Sequence, residues 1–240
     1  MIKAYALSDV GACRSVNQDY VFCTTKQVGN LPNLFIVADG MGGHKAGDMA
    51  SKFSVETFVE QVRQSTSDNP VSIISDAIKY TNTELINLAA TSEDYRGMGT
   101  TFVVATIIGK SIYVANVGDS RLYILDEDFS QVTRDHSYVE EMVNNGTIDR
   151  EEARNHEQKN LITRAMGGNP VVIADFFEVE LAGNETIFMC SDGLSNMIED
   201  DYIASILSGK EDIIYKAEKL IKTANDNGGK DNISLVIIEP

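Results

Sequence analysis

Four aspartates, each at one end of an apolar, strand-like run, set the strongest constraint on how this chain can fold. They are Asp39, Asp119, Asp192 and Asp231. Because they are far apart in sequence, they can meet only if the ends of their strands meet in the folded protein. A converging set of carboxylates without a Cys or His cluster is typical of a site for a hard divalent cation such as Mg²⁺ or Mn²⁺. The pattern therefore predicts metal-assisted hydrolysis, with a phosphate ester as the natural substrate.

The composition predicts one acidic domain. The chain has 240 residues, 43% of them hydrophobic, and no Gly-, Pro- or Ser-rich stretch that would indicate a linker. We therefore expect a single domain over residues 1–240, and we expect it to be a monomer. The formal net charge of −16 disfavours nucleic acid and anionic membranes as partners, because both carry charge of the same sign.

The cysteines and the apolar runs favour a cytoplasmic protein. Cys13, Cys23 and Cys190 form an odd set without C-x-x-C spacing. This argues against a disulfide framework or a zinc knuckle and fits a reducing compartment. The first residues lack the apolar core of a signal peptide, and no apolar run approaches the roughly 20 residues of a membrane span. We therefore expect a cytoplasmic location without membrane association.

Hydrophobic periodicity predicts strands and helices in an irregular order. The predicted strands are residues 2–10, 20–26, 34–38, 100–108, 111–116, 121–125, 171–181, 186–190 and 232–239. The predicted helices are residues 48–63, 70–89, 136–145, 149–156, 200–207 and 212–224. This order does not alternate as in a parallel α/β sheet. It favours an α+β fold in which antiparallel sheets pack face to face and carry helices on their outer faces, with an exposed helical insert at residues 138–168.

Two Asp-Gly turns follow apolar strands. In the segment 39–43, Asp-Gly-Met-Gly-Gly, the glycines allow a sharp turn and a close approach of the backbone to a ligand. The segment lacks the Gly-Lys-Ser/Thr ending of a phosphate-binding loop. Asp192-Gly193 repeats the pattern without the G-x-S-x-G of a nucleophile elbow. One such turn taken alone would favour an ordinary Asp-Gly turn without a functional role.

Arg14 and His136 stand in further turn segments. Arg14 lies between the first two predicted strands. An arginine in such a turn can hold a phosphate through two parallel hydrogen bonds, although most turn arginines simply face solvent. The three histidines, His44, His136 and His156, have no ligand spacing among them. We interpret His136 as a structural cap rather than a catalyst.

Seven segments in order resemble the metal-dependent Ser/Thr protein phosphatases, the PPM or type 2C family. They are Arg-Ser-Val-Asn-Gln-Asp at 14–19, Ala-Asp-Gly-Met-Gly-Gly-His at 38–44, Gly-Thr-Thr at 99–101, Val-Gly-Asp-Ser-Arg at 117–121, Arg-Asp-His-Ser at 134–137, Ser-Asp-Gly-Leu at 191–194 and Asp-Asn-Ile-Ser at 231–234. Any one of them is a weak signal, but the series covers nearly the whole chain. The compact length and the Asp-Gly-Met-Gly-Gly-His form resemble the bacterial branch.

The resemblance implies a fold and a metal centre. The fold would be a four-layer α-β-β-α sandwich of two antiparallel sheets flanked by helix pairs, with residues 138–168 as a flap beside the site. Two Mg²⁺ or Mn²⁺ ions would share Asp39, and the Gly40 carbonyl would bind one of them. Asp192 and Asp231 would complete the other. Asp119, with Asp192, would hold a third, weaker ion.

The resemblance also implies a reaction and partners. A hydroxide bridging the two ions would attack phosphorus directly, so Asp39 and Asp192 would be catalytic through the metals. Arg14 would bind the substrate phosphate, and Asp19 would orient the attacking water from behind the ligands. The substrates would be phosphoproteins, including a Ser/Thr protein kinase and its targets.

Two positions depart from the family pattern. Animal members carry a histidine, proposed as the general acid, where this chain has Met41, so the acid is unassigned. Bacterial members usually carry a glutamate where this chain has Asp48.

Three alternatives stay open at the level of sequence. One is a non-catalytic metal-binding module, which a missing aspartate would favour, but all four are present. Another is a metal-dependent phosphodiesterase or nuclease, which the acidic balance disfavours. The last lies within the family and is a phosphatase dedicated to one small regulator rather than a broad partner of Ser/Thr kinases.

Overall fold

The computed structural model describes residues 2–43 and 46–240. His44, the last residue of the Asp-Gly-Met-Gly-Gly-His segment, lies outside these ranges. The strands within them are β1 (Lys3–Asp9), β2 (Asp19–Thr24), β3 (Leu34–Met41), β4 (Gly99–Thr100), β5 (Phe102–Ile108), β6 (Ser111–Val117), β7 (Arg121–Leu125), β8 (Phe129–Gln131), β9 (Asp175–Glu180), β10 (Thr186–Cys190) and β11 (Ile233–Glu239). The helices are α1 (Ala46–Gln64), α2 (Pro70–Ala89), α3 (Tyr138–Asn144), α4 (Arg150–Asn155), α5 (Asp192–Ser195), α6 (Asp200–Leu207) and α7 (Ile213–Asp226), with a 3-10 turn at Glu93–Tyr95.

The strands form two antiparallel sheets. One has the order β1-β11-β10-β7-β8, and the other has the order β2-β3-β5-β6-β9, with the short β4 added beside β3. The inner faces of the sheets pack on each other through side chains such as Val37 and Val103 from one sheet and Leu122, Met189 and Val236 from the other. This shared core holds the two sheets face to face, as expected for a sandwich.

Helices cover both outer faces. Helices α1 and α2 pack on the sheet that contains β3 and β5, and their core includes Phe58 and Ile74. Helices α5, α6 and α7 pack on the other sheet, with Ile203 and Leu220 buried against it. The result is the predicted α-β-β-α order, and the fold class is confirmed.

Strand β5 shows why the central strands are apolar throughout. Its alternate residues point to opposite faces of the sheet. Phe102 and Val104 enter the core beneath the helices, whereas Val103 and Ala105 enter the core between the sheets. Because both faces are buried, the strand shows no polar alternation.

The strand predicted at 171–181 is shorter in the structure. The ladder with β6 begins where Asn116 pairs with Asp175, and β6 ends at Val117. Residues 171–174 therefore have no partner strand to extend the ladder. Three elements that the sequence pattern did not predict are also present: the 3-10 turn at Glu93–Tyr95, the edge strand β8 and the single-turn helix α5.

The insert at 138–168 consists of helices α3 and α4 and an extended return. Arg150 pairs with Glu140 through both of its terminal nitrogens and thus joins the two helices. The end of the segment is anchored, because Met166 is fully buried and pairs with Thr100 through a pair of backbone hydrogen bonds. None of the helices in the described ranges combines the length and the apolar character of a bilayer-spanning segment.

Candidate active site

One cavity of about 290 Å³ collects the residues that the sequence singled out. It lies at the rim of the sandwich where β3, β10 and β11 end or begin and where β6 turns into β7. Its lining includes Arg14, Asp39, Gly40, Asp119, Asp192 and Asp231. Asn160 and Ile162 add a wall from the insert. The convergence expected from the four strand-end aspartates is therefore found.

Hydrogen bonds to Thr100 and Thr101 hold both main-chain groups of Asp39. Its N–H donates to Thr101 Oγ1 at 2.9 Å, and its carbonyl accepts from Thr101 N and Thr100 Oγ1, both at 2.9 Å. Across the ladder it pairs with Asp19. These bonds occupy its main-chain groups and leave the carboxylate directed at the cavity it lines.

The glycines beside the aspartates are required by contacts between backbone segments. A Cβ on Gly40 would lie 1.9 Å from Gly47 O, and a Cβ on Gly193 would lie 1.9 Å from Asn232 O. These contacts are a second reason for glycine at both positions, beside the close approach to a ligand expected from the sequence. The chain itself approaches Gly40 and Gly193, and this approach brings Asp192 next to Asp231.

Asp192 begins the helix α5, directly after β10. Its Oδ2 accepts a hydrogen bond from Asn196 Nδ2 at 2.9 Å. The preceding residue, Ser191, is fully buried, and its hydroxyl joins β10 to β11 by accepting from Ser234 N at 3.0 Å. The aspartate is thus fixed at the junction of a buried strand and a helix.

Asp231 is tied to the first loop of the chain by Arg14 and Asn232. Arg14 Nη2 lies 2.8 Å from Asp231 Oδ2 in an ion pair at the protein surface. Asn232 donates to Val10 O at 2.8 Å and to Val16 O at 2.9 Å, and its side-chain oxygen accepts from Gln18 N at 2.8 Å. In this structure Arg14 therefore pairs with a site carboxylate, while Asn232 positions the loop that carries Arg14.

Asp119 sits in the turn between β6 and β7. Gly118, just before it, has a φ of 107°, and a Cβ there would lie 2.7 Å from Thr101 Cβ. Ser120, just after it, shares a hydrogen bond of 2.7 Å with Thr101 Oγ1. Thr101 therefore contacts the turns of both Asp39 and Asp119.

Asp19 lies behind the cavity and is buried. Its Oδ2 accepts from Ser191 Oγ at 2.7 Å, while its Oδ1 has no hydrogen-bond partner among the described residues. Burial raises the pKa of Asp19 to about 7, against the lowering effect of Ser234 and Ser191 and with added repulsion from Asp192 and Asp231.

The cavity carboxylates raise one another's pKa. Burial, followed by the negative charges of Asp19 and Asp192, holds the pKa of Asp39 well above its usual range. Burial and the charge of Asp192 do the same for Asp119. The pKa of Asp192 is raised by burial and by the negative charge of Asp231. Such a set of like charges favours protonation or a bound cation.

The donor set fits a hard divalent cation. It consists of oxygen atoms, and within residues 2–43 and 46–240 neither Asp39, Asp119 nor Asp192 forms an ion pair with Lys or Arg. Over the same ranges, no three His, Cys, Asp or Glu side chains are close enough to form a ready-made metal cluster. The carboxylates thus share one cavity, and among the described residues only Asp231 has a cationic partner, but they are not drawn together as a coordination shell.

Three residues that the sequence analysis left without a role prove structurally central: Ser191, Thr101 and Asn232. Ser191 and Asn232 are each next to a predicted site residue, and Thr101 lies in the Gly-Thr-Thr segment at 99–101, so membership of these motifs was the only available signal. Their long-range partners could not be inferred from it.

A larger cleft of about 670 Å³ opens beside the site and shares Asp119 and Asp192 with it. It runs between the insert and the helices α5 and α6. Arg154 crosses it: its Nη2 donates to Ile198 O at 3.0 Å, and its Nε lies 2.8 Å from Glu199 Oε1. This contact fixes α4 against the segment that follows Asp192.

Comparisons of the sequence and of the structure with known proteins agree on one family. The family model described as Protein phosphatase 2C matches residues 13–233. The chain is 38% identical over 239 residues to the serine/threonine phosphatase Stp of Listeria monocytogenes, covering 97% of this chain and 93% of that protein. The crystal structure of the serine/threonine phosphatase Stp1 from Staphylococcus aureus matches with a TM-score of 0.93 and 34% identity, over 100% of this chain and 95% of that one. The catalytic domain of PstP in complex with 2 manganese ions matches with a TM-score of 0.87 and 29% identity, over 99% and 97%.

A two-sheet sandwich with an acidic rim of this kind defines the metal-dependent protein phosphatases. The chain belongs to the protein phosphatase 2C family, or PPM family, and its relatives are bacterial serine/threonine phosphatases. It is therefore an enzyme, a serine/threonine phosphatase. The family, the fold and the enzyme class predicted from the sequence are confirmed.

Proposed function

We propose that the chain hydrolyses phosphoserine and phosphothreonine in proteins at this cavity, using two Mn²⁺ or Mg²⁺ ions. The observation that carries the proposal is the set of four aspartates and the Gly40 backbone lining one cavity, to which Arg14 alone among the described residues adds a positive charge. The relative solved with 2 manganese ions supports the number and kind of ions.

The assignment of the ligands follows the family resemblance, and their presence in one cavity supports it. Asp39 would be shared by both ions, with the Gly40 carbonyl binding one of them. Asp192 and Asp231 would complete the other, since Gly193 brings their backbones together. Asp119 and Asp192 would hold a third, weaker ion. When bound, the metal pair would supply a bridging hydroxide at neutral pH for direct in-line attack on phosphorus, without a covalent enzyme intermediate.

Arg14 would bind the phosphoryl oxygens. Its side chain is 48% exposed at the cavity mouth, so the guanidinium can turn from Asp231 to a substrate without crossing packed protein. A planar guanidinium offers two parallel hydrogen bonds to a phosphoryl group and offsets its charge. Arg14 is therefore the direct protein contact to the substrate in this proposal.

Asp19 would orient the attacking water through its unpaired oxygen, Oδ1, while Oδ2 stays bonded to Ser191. No histidine of the described ranges lines the cavity, and Met41, which does, has no proton to donate. The leaving alkoxide would then take its proton from water or from an acid that is not yet assigned.

In the cell, the substrates would be phosphoproteins that include a Ser/Thr protein kinase and its targets, and the enzyme would act as a cytoplasmic monomer. Residues 1–240 would form one catalytic domain, with 138–168 as a flap that contacts the substrate. Asn160 and Ile162 support the flap role, because both reach the cavity from this segment.

The deciding experiment is phosphate release from a phosphothreonine peptide with Mn²⁺ and then with EDTA. We expect release only with Mn²⁺. Folded protein that releases none under either condition would contradict the proposal and favour a non-catalytic module.

Plasmid DNA incubated in parallel should stay intact; cleavage of it would favour a phosphodiesterase. Comparing kcat/KM on a phosphorylated kinase domain with kcat/KM on a phosphorylated small regulator distinguishes a broad partner of Ser/Thr kinases from a phosphatase dedicated to one regulator.

A further inference from the structure

The turn that carries Asp119 is held by a buried histidine. His136, 6% exposed, accepts a hydrogen bond at Nδ1 from Gly118 N at 3.0 Å. In return, His136 N donates to Gly118 O at 2.9 Å. Asn116 Nδ2 also donates to Gly118 O at 3.1 Å. Both main-chain groups of the residue before Asp119 are therefore bonded, one of them to an imidazole ring.

The accepting role of Nδ1 fixes the ring's tautomer. The proton of the neutral ring must then be on Nε2, which lies 3.2 Å from Asp175 Oδ2. The other oxygen of Asp175 pairs with Arg164 Nη1 at 2.9 Å. Burial lowers the pKa of His136, which keeps the ring neutral and its Nδ1 free to accept.

The ring therefore bridges three parts of the fold. On one side is the Gly118 turn; on the other are Asp175, the first residue of β9, and Arg164, near the end of the flap. His136 O also accepts from Thr163 N at 2.8 Å, which adds a second link to the flap. A residue that served only to fill space would not need hydrogen bonds at both ring nitrogens.

We propose that His136 is a positioning residue for Asp119, and that its Nδ1 sets the direction from which the Asp119 carboxylate enters the cavity. The inference rests on the proposed metal role of Asp119. Partners that orient metal ligands typically change metal affinity or activity by about 10–100-fold when they are removed. The ring would act through the Gly118 amide, without touching substrate or metal.

Two conservative variants separate the functions of the two ring nitrogens. His136→Asn places a side-chain oxygen near the position of Nδ1 and can still accept from Gly118, but loses the contact to Asp175. His136→Gln places an amide nitrogen near the position of Nε2 and keeps the contact to Asp175, but loses the acceptor. Each is compared with the wild type in kcat, KM, melting temperature and the Mn²⁺ concentration for half-maximal activity.

We expect His136→Gln to raise the half-activating Mn²⁺ concentration by about tenfold or more, at nearly unchanged KM, and His136→Asn to stay within about threefold of wild type. A merely structural role would lower the melting temperature of both variants without this difference in Mn²⁺ response. Equal Mn²⁺ responses in the two variants would overturn the inference.

Asp119→Asn is the control for the underlying assignment. If it leaves the Mn²⁺ response unchanged, the metal role of Asp119 fails, independently of His136. If it shifts the response and His136→Gln does not, the inference about His136 fails alone. Should the Gln variant not fold, the ¹⁵N–¹⁵N coupling across the Gly118 to His136 hydrogen bond can be measured in the wild-type enzyme. Absence of that coupling would also overturn the inference.

Discussion

Asp19 and Asp39 are paired directly across the antiparallel ladder of β2 and β3. The register therefore places a buried carboxylate beside one that lines the active-site cavity. Two like charges at opposite positions in a ladder destabilise it unless a proton or a cation intervenes. The pairing would be unfavourable in a protein that binds no ligand here, whereas a bound metal ion would offset the repulsion between the two carboxylates.

The first prediction concerns pH and metal. The folded pKa of Asp19 is raised to about 7 from an unfolded value of 3.8, and the pKa of Asp39 is raised as well. A carboxyl group whose pKa is higher in the folded than in the unfolded protein stabilises the folded state fully at pH values below its unfolded pKa. This contribution is lost as the pH rises through the folded pKa. Mn²⁺ binds the deprotonated form and compensates. We expect the melting-temperature gain from Mn²⁺ over EDTA to grow between pH 6 and pH 8.

That gain is measured by thermal unfolding at a series of pH values in matched ionic strength. Taking the difference between Mn²⁺ and EDTA removes the contribution of groups remote from the site. A gain that is constant or shrinks toward pH 8 would show that the ion does not stabilise the deprotonated form of these carboxylates.

The second prediction concerns Asp192. Asp192→Asn removes a metal oxygen and a repelling charge while keeping the side-chain shape. We expect kcat at saturating Mn²⁺ to fall at least about 100-fold. Even the loss of a residue that only hydrogen-bonds to a metal ligand can lower activity by up to about 100-fold. In EDTA the variant should unfold at a temperature no lower than wild type. Near-normal turnover would contradict the ligand assignment. Asp126→Asn, outside both cavities, is the matched control.

The third prediction concerns Arg14. Arg14→Ala should mainly raise KM, by a factor corresponding to roughly 1.5–3 kcal/mol for a charge-assisted hydrogen bond. Arg14→Lys should recover part of the loss, since it restores the charge without the planar fork. Steady-state kinetics on one phosphothreonine peptide gives both constants. A large fall in kcat at unchanged KM would instead place Arg14 in the transition state.

The fourth prediction tests the glycine contacts. Gly193→Ala introduces a Cβ 1.9 Å from a backbone oxygen, so we expect a loss of stability of about 1–3 kcal/mol or more. Gly43→Ala is the matched control: apart from its chain neighbours, no atom of the described residues lies within 4 Å of its added Cβ, and the change should stay within about 0.5 kcal/mol. Urea unfolding measures both. Equal stabilities would show that the close approach of α5 to Asn232 is not required.

The fifth prediction concerns the flap. Arg154→Met removes the contacts to Ile198 and Glu199 that hold α4 beside the larger cleft. We expect a larger change in kcat/KM on phosphoproteins than on a small aryl phosphate, because only a protein substrate extends into that cleft. Arg63→Met, on the exposed surface of α1, serves as the control. Equal losses on both substrates would count against a flap role.

The sequence predicted the elements better than their long-range contacts. Strand-end aspartates imply a common rim because strand ends in packed sheets converge, and Asp39, Asp119, Asp192 and Asp231 are found there. The hydrogen bonds of Asn232 to Val10 and Val16 cross more than two hundred positions of the chain, and no local pattern encodes them.

The ends of elements were predicted less well for a similar reason. Val171 and Ile173 have the β-branched character of a strand, but a strand also needs a partner, and β6 stops before it can reach them. Helix α5 is a single turn, too short to show a helical period. Arg14 was expected to meet phosphate, and its ion pair with Asp231 depends on how the first loop folds over the last strand.

The position of β11 has a consequence for synthesis of the protein. This strand lies between β1 and β10, and Asp231 directly precedes it. Until residues 231–239 have left the ribosome, β1 has no partner in its sheet and the cavity lacks one of its aspartates. In a nascent chain, the proposed site is therefore incomplete until this strand has been made and has inserted between β1 and β10.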